Sequence, residues 1–121
     1  MEARESLDAL LQEVIGNDHV YFQPPENLEI QYPCVIYSLE GLRDFNANNH
    51  TYHRKREYKM IYITYDPDDE NIERLADLPW CSLGSAYTAD NLYHYSYTIY
   101  HESAGSYLPQ RYITFDDSVL K

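Results

Sequence analysis

The sequence predicts an α+β fold, in which a mostly antiparallel or mixed sheet of 4–5 strands carries an N-terminal helix and a second short helix on one face. Helical periodicity is confined to the segments 2–16 and 67–78. The other apolar segments are rich in β-branched and aromatic residues, and few helices separate them along the chain. The 121 residues predict a single α+β domain at 1–101, followed by a C-terminal arm or extra strand at 102–121.

The N-terminal segment 2–16 predicts an amphipathic helix. Its apolar residues recur at three- and four-residue spacing, which places them on one helical face. Gly16 and Asn17 predict its end, because both residues tolerate a positive φ at a helix C-terminus. A short strand is predicted at 19–22, and the following Pro-Pro pair closes it because proline lacks the donor that a ladder needs. The apolar helix residues are Ala3, Leu7, Leu10, Leu11, Val14 and Ile15.

Two longer strands are predicted at 33–39 and 56–66. The first is apolar on both parities, which indicates burial on both faces or a central position in the sheet. The second alternates, with Tyr58 and Tyr62 on the same face as Met60. The connection 41–53 is polar and rich in asparagine, so it predicts either a hairpin tip or a long mobile loop.

Residues 67–78 predict the second helix. Asp66 fits the N-cap, Pro67 fits the first helical position, and the acidic residues that follow complement the helix dipole. A calcium-binding loop is the alternative interpretation, and the spacing argues against it. Asn71 lies where such a loop needs glycine, and Asp77 lies where it needs glutamate.

The segment 80–88 predicts a hairpin or an irregular strand, because a Gly-Ser pair interrupts it. A turn at 90–91 leads into a strand at 92–101, whose side chains separate into two sets. The first set is predicted to pack in the core against the helices and comprises Tyr93, Tyr95, Tyr97 and Ile99. The second set is predicted to face water or another subunit and comprises His94, Ser96, Thr98 and Tyr100.

Composition narrows the functional classes. The chain has 14 Tyr against 3 Phe and 1 Trp. This bias indicates either a surface for protein–protein contact or a small sheet that is partly exposed to water and packed with tyrosine instead of phenylalanine. Its net charge of −11 disfavours non-specific DNA binding, which needs Lys and Arg. The N-terminus is charged and amphipathic, and no apolar run approaches the roughly 20 residues of a membrane span. We therefore expect synthesis in the cytosol, with reduced thiols at Cys34 and Cys81.

The sequence predicts no catalytic, metal-binding or cofactor-binding site. The 4 glycines form no phosphate-binding motif. Cys34 lies in an apolar strand and Cys81 follows a tryptophan, so both are predicted to act as small hydrophobic side chains. His94 and His101 lie on opposite faces of their strand and therefore cannot bind one metal within a subunit.

Five segments occur in an order that resembles a family of small tail-completion proteins of long-tailed bacteriophages, also called tail terminator, minor capsid or head–tail joining proteins. The resemblance covers about residues 19–101, and its most specific part is LP-x-C-S followed by Y-T-A-D-N-L-x-H. The chain departs from the family pattern at 65–69, where Arg-Asp-Pro-Asp-Ser is usual, and the C-terminal 20 residues lie outside the pattern. The segments are YFQPP at 21–25, YPCVIY at 32–37, the Asn-rich stretch with Ala47-Asn48, YDPDD at 65–69 and LPWCSLGSAYTADNLYHYSYTIY at 78–100.

The resemblance implies a structural role in the virion. Similar proteins include the lambda tail terminator, a small α+β protein that forms a hexameric ring on the tail tube, stops tube growth and joins the tail to the head connector. The implied partners are further copies of the chain, the tail tube protein and head–tail connector or adaptor proteins. The ring would enclose the DNA path without specific DNA binding, with no membrane contact, in the virion tail or neck after assembly in the host bacterial cytoplasm.

A subunit interface is predicted from polar and aromatic positions in the hairpin connection, the strand 92–101 and the C-terminal segment. The alternatives are another head–tail connector, head-completion or tail-tube protein, an acidic binding module that imitates DNA, and a small enzyme that uses Cys81 or His94. The predicted interface residues are Asn46, Asn48, Asn49, His50, Tyr52, His94, Tyr100, Tyr107, Tyr112 and Phe115.

Overall fold

The computed structural model describes residues 3–47 and 50–102. They form a five-stranded mixed sheet in the order β1-β2-β3-β5-β4, with two helices, as the sequence predicts for the fold class. The β1–β2 pair is parallel, and the other three pairs are antiparallel. The elements are α1 at Ala3–Ile15, β1 at Val20–Phe22, β2 at Cys34–Ala47, β3 at His50–Thr64, α2 at Asn71–Ala76, β4 at Cys81–Ala89 and β5 at Leu92–Glu102.

The first helix, α1, follows the predicted periodicity. Leu7 and Leu11 are fully buried and Ile15 is nearly so, because these three residues lie one turn apart on the face that packs on the sheet. The helix ends at Gly16, which has a φ of 80° and whose amide donates a hydrogen bond of 2.9 Å to the Gln12 carbonyl. Glycine accommodates this left-handed conformation without steric cost, so the predicted stop is confirmed.

The strands β2 and β3 form a long hairpin of 14 and 15 residues, which reaches far into the predicted connection 41–53. The β5 register starts at Lys55, so among the described residues the segment 42–47 pairs only with β3, and the segment 50–54 pairs only with β2. We call these two segments the distal hairpin. Of the two predicted alternatives for the connection, a hairpin tip is correct.

The second helix is shorter than predicted, because α2 begins at Asn71. Asp66 is not its N-cap: the Asp66 side chain accepts the Asp68 amide at 2.9 Å and closes a turn. Asp69 accepts the Asn71 amide at 2.9 Å, so this carboxylate organises the chain as it enters the helix. The acidic residues that suggested a helical first turn instead form a non-helical entry.

One face of the sheet packs against both helices and holds the main core. Tyr97 and Ile99 are buried there as predicted, and Tyr95 is half-buried against the same cluster. Tyr93 lies outside this cluster, contrary to prediction, because it pairs with Thr64 at the end of the sheet. The buried members of the main core are Leu7, Leu11, Ile15, Val35, Tyr37, Tyr58, Met60, Tyr62, Ile72, Leu75, Tyr97 and Ile99.

The opposite face of the sheet carries a smaller apolar cluster. Cys34, Ile63 and Leu92 form its buried centre, and the connection before β2 adds Ile30 and Tyr32 at its border. The strand β2 therefore has buried apolar side chains on both faces, as its sequence predicts.

Tyr97 fixes α2 to the sheet through a buried hydrogen bond of 2.7 Å from its hydroxyl to the Ile72 carbonyl. We expect Tyr97→Phe to lower the free energy of unfolding by about 1–2 kcal/mol, because the substitution removes this buried hydrogen bond between the sheet and α2. Tyr65→Phe is the matched control, since Tyr65 is 65% exposed. Urea denaturation of both variants measures the difference, and equal effects would contradict this role of the Tyr97 hydroxyl.

Candidate assembly interface

The strand β4 forms one outer edge of the sheet. Its 9 residues pair with β5 on one side, and no described strand pairs with the other side. Seven consecutive residues, 82–88, are exposed, including Leu83 at 44% and Tyr87 at 51%. An edge strand presents backbone donors and acceptors that another chain can use, and proteins commonly protect such edges with charged residues or Pro, or with a β-bulge. The strand β4 contains none of these residue types.

Local sequence explains the shape of this edge. The β4–β5 register shifts between Leu83 and Ser85, so Gly84 is the extra residue of a bulge, as the interrupted pattern of 80–88 predicts. A two-residue turn connects the strands, with Asp90 at φ 54° and Asn91 at φ 63°. Asp and Asn tolerate this left-handed conformation, which matches the twist of a tight hairpin.

Trp80 stands at the entry to β4 with a φ of 61°, a rare conformation for a bulky residue. Its carbonyl accepts the Tyr100 amide at 3.0 Å, and its ring is 51% exposed. The Lys55 ammonium lies 4.9 Å from the ring centroid. This contact places a cation of β3 beside the start of the exposed edge strand.

The distal hairpin carries paired charges near its base. The Arg54 Nε donates to the Asp44 Oδ1 at 2.6 Å, and the Arg43 Nη2 donates to the Glu57 Oε1 at 3.3 Å. The hydrogen bond from Arg54 lowers the pKa of Asp44. Arg43 also lies over the Tyr100 ring, 5.7 Å from its centroid. These pairs are exposed, so they order the hairpin side chains more than they stabilise the fold.

Basic residues are concentrated before and within β3, and acidic residues are concentrated after it. The sequence from 43 to 59 contains 5 basic and 2 acidic residues, whereas 66–77 contains 6 acidic and 1 basic residue. Since β3 runs from His50 to Thr64, it connects the basic segment to the acidic one. A protein with oppositely charged ends attracts a second copy in a head-to-tail orientation and repels it head-to-head.

A polar network anchors the acidic segment to the core. The Tyr62 hydroxyl and the Thr64 hydroxyl donate to the Asp69 Oδ2 at 2.6 Å and 2.9 Å. The Asn71 side-chain amide donates to the Ile15 carbonyl at the end of α1, at 3.3 Å. Burial raises the pKa of Asp69, but the bonds from Tyr62, Asn71 and Thr64 outweigh it and leave this pKa below its ordinary value.

The predicted interface residues fall into three groups. Asn46, His50 and Tyr52 lie in the strands of the distal hairpin, where Asn46 is opposite Thr51. His94 and Tyr100 lie on β5. The remaining predicted residues lie outside the described residues, as does the predicted arm from 103 onward: Asn48, Asn49, Tyr107, Tyr112 and Phe115.

The two β5 residues both face away from the main core, as predicted, but their surroundings differ. The His94 ring stacks on Tyr87 of β4, with centroids 4.6 Å apart and planes at 14°. Tyr100 is half-buried and lies under Arg43 of the hairpin base. The structure therefore connects one predicted residue with the β4 edge and the other with the distal hairpin.

Sequence reasoning missed the exposed apolar residues of these surfaces. Leu83 and Tyr87 on β4 and Leu42 on the distal hairpin are each at least 44% exposed. For Leu83 and Tyr87, the sequence signal was the lack of any charge between 78 and 89 in a strongly acidic chain. The signal was uninformative on its own, since an uncharged strand is equally typical of a buried central position.

Both cysteines are free thiols. Burial raises the pKa of Cys34 to about 12 and that of Cys81 to about 11. Cys34 is fully buried, which confirms its predicted role as a small hydrophobic side chain, and Cys81 is half-buried against the main core. A raised pKa keeps a thiol protonated, whereas the nucleophilic form is the thiolate.

Within residues 3–47 and 50–102, no group of three or more His, Cys, Asp and Glu side chains is arranged to hold a metal ion. The helices in this part of the chain are too short or too polar to cross a membrane. No family model matches the chain, and no curated protein matches it significantly.

Proposed function

We propose that the protein is a structural component of a phage neck, which assembles with copies of itself into a ring at the end of the tail tube. The ring stops tube growth and joins the tail to the head connector. One observation carries this proposal: besides the short strand β1, the described residues offer two different unpaired β-edges, the uncharged strand β4 and the distal hairpin.

Two different edges support a ring better than a simple dimer. A contact between unlike surfaces leaves one surface of each kind free, so it repeats from copy to copy until the rotation closes. The separation of basic and acidic segments along β3 favours this head-to-tail order. The phage context comes from the resemblance of residues 19–101 to tail-completion proteins.

The net charge of −11 also fits a ring around a DNA path. DNA has to move through the neck, and an acidic wall does not retain it. We propose that the ring encloses the DNA path without binding the DNA. A lumen lined by Arg43, Arg54 and Lys55 would contradict this part of the proposal.

The test combines localisation with loss of function. We expect cryo-electron microscopy of virions to place the protein as a ring between the tail tube and the head connector. We expect phages that lack the gene to accumulate unjoined heads and tails of uncontrolled length. Infectious particles of normal tail length that lack the protein would overturn the proposal.

A further inference from the structure

We infer that β4 of one copy pairs edge-to-edge with the distal hairpin of the next copy, so that the sheet continues from subunit to subunit. This inference rests on the proposed ring and names the surfaces that would build it. Its occupant is a second copy of this chain.

Few edges of the sheet are open to pairing with β4 of another copy. A ring needs two unlike surfaces, so β4 has to meet something other than another β4. The opposite edge of the sheet, β1, has 3 residues and is followed by Pro24 and Pro25, which cannot donate to a ladder. The Gln23 side chain also accepts the Leu39 amide at 3.1 Å, so it occupies a donor of β2 next to that edge. Among the described strands, the distal hairpin is the remaining free edge.

The charges beside the two edges differ in sign. The strand β4 is uncharged, and exposed carboxylates lie before and after it at Asp77 and Asp90. The hairpin base, residues 43–57, carries 4 basic residues against the 2 acidic residues Asp44 and Glu57, so it keeps an excess of positive charge. Approach of the hairpin to β4 therefore brings cations near carboxylates, whereas pairing of β4 with itself would bring the carboxylates of two copies together.

Both edges expose a leucine on the same face of the sheet. Leu83 on β4 pairs with Tyr97, so it lies on the helix-bearing face of the sheet. Leu42 pairs with Arg56, which has the same strand parity as Tyr58, so it lies on the same face. If the sheet continues from one copy to the next, the helix-bearing faces of both copies lie on the same side of the combined sheet. The two exposed leucines then lie on a common face, where they can cover each other.

Cysteine cross-linking tests the pairing directly. In a Cys81→Ser background, each chain carries one cysteine on β4, at Ser82, Ser85 or Tyr87, and one on the distal hairpin, at Leu42 or Asp44. Cys34 remains as a fully buried thiol with a pKa raised to about 12. A short bismaleimide reagent is added to the assembled full-length protein. We expect covalent oligomers from variants that carry one cysteine on each surface, and monomers from variants with a β4 cysteine alone.

Three outcomes separate the inference from the proposed function. Covalent dimers from a β4 cysteine alone would overturn the inference, because they report β4–β4 pairing. Rings that are visible by electron microscopy without β4–hairpin cross-links in any of the pairs would overturn the inference and leave the proposed function intact. A protein that is absent from infectious virions of normal tail length would overturn the proposed function itself.

A matched pair of substitutions tests the edge without cross-linking. Leu83→Lys puts a charge on β4, whereas Leu28→Lys puts the same charge at a leucine of similar exposure, 42% against 44%, in the connection before β2. We expect Leu83→Lys to raise the concentration needed for ring assembly roughly tenfold or more, and Leu28→Lys to leave it unchanged. Equal assembly by both variants would contradict a role for β4. Thermal unfolding of the isolated chains checks that both variants fold.

Discussion

Leu11→Ala is expected to lower the free energy of unfolding by about 3 kcal/mol, which is a large share of the stability of a domain of this size. Leu11 is fully buried between α1 and the sheet, with Leu7 and Ile15 one turn away on either side. The substitution removes its contacts and leaves a cavity that the helix can close only by shifting away from the sheet.

Leu42→Ala is the control for this prediction, because Leu42 is 56% exposed and the same atoms are removed from a residue that packs little. We expect its effect to stay within about 0.5 kcal/mol. Chemical denaturation of the monomeric protein gives both values. If the two substitutions destabilise equally, α1 is not packed through Leu11 as described.

Asp69→Ala is expected to cost about 3 kcal/mol, although Asp69 is only half-buried. Its carboxylate accepts the hydroxyls of Tyr62 and Thr64 and the Asn71 amide. Alanine would leave the hydroxyls of two buried residues without this acceptor. It would also remove the hydrogen bond that Asp69 accepts from the Asn71 amide at the start of α2. Asp68→Ala is the control, because it removes an exposed carboxylate from the adjacent position.

The same carboxylate predicts a pH dependence. The pKa of Asp69 is lower in the folded protein, since its hydrogen bonds outweigh the effect of burial. Its stabilising contribution is therefore complete above the unfolded pKa of about 4 and is lost as the pH falls through the folded pKa. We expect urea denaturation to show a larger loss of stability between about pH 6 and pH 3 for the wild type than for Asp69→Ala. Parallel losses would contradict the network around Asp69.

Periodicity predicted the parts of the fold in which packing follows sequence spacing. The apolar spacing of α1 located the helix almost to the residue, and the alternation of β3 placed Tyr58, Met60 and Tyr62 on one face, where all three are buried. The first turn of α2 was predicted wrongly, because the Asp69 carboxylate is engaged by Tyr62 and Thr64. That tertiary contact leaves no local signal, and the local sequence Asp66-Pro67 is typical of a helix start.

The candidate assembly surfaces were less accessible to sequence reasoning. The distal hairpin is polar, so no apolar pattern revealed its strands, which are held by backbone pairing. An edge strand cannot be recognised from its own residues, because being at an edge depends on the order of all strands. The strand β4 follows β3 in sequence but lies beyond β5 in the sheet, and this order leaves Leu83 and Tyr87 uncovered.

The strand order also has a kinetic consequence. Four of the five strands belong to two hairpins, β2–β3 and β4–β5, in which each strand pairs with its neighbour in sequence across a two-residue connection. Hairpins of this kind form within microseconds, and a topology with many such local pairings has a short search for its native state. The two hairpins can therefore form early, and the pairing of β3 with β5, which joins them across the intervening helix, is expected to set the pace of folding.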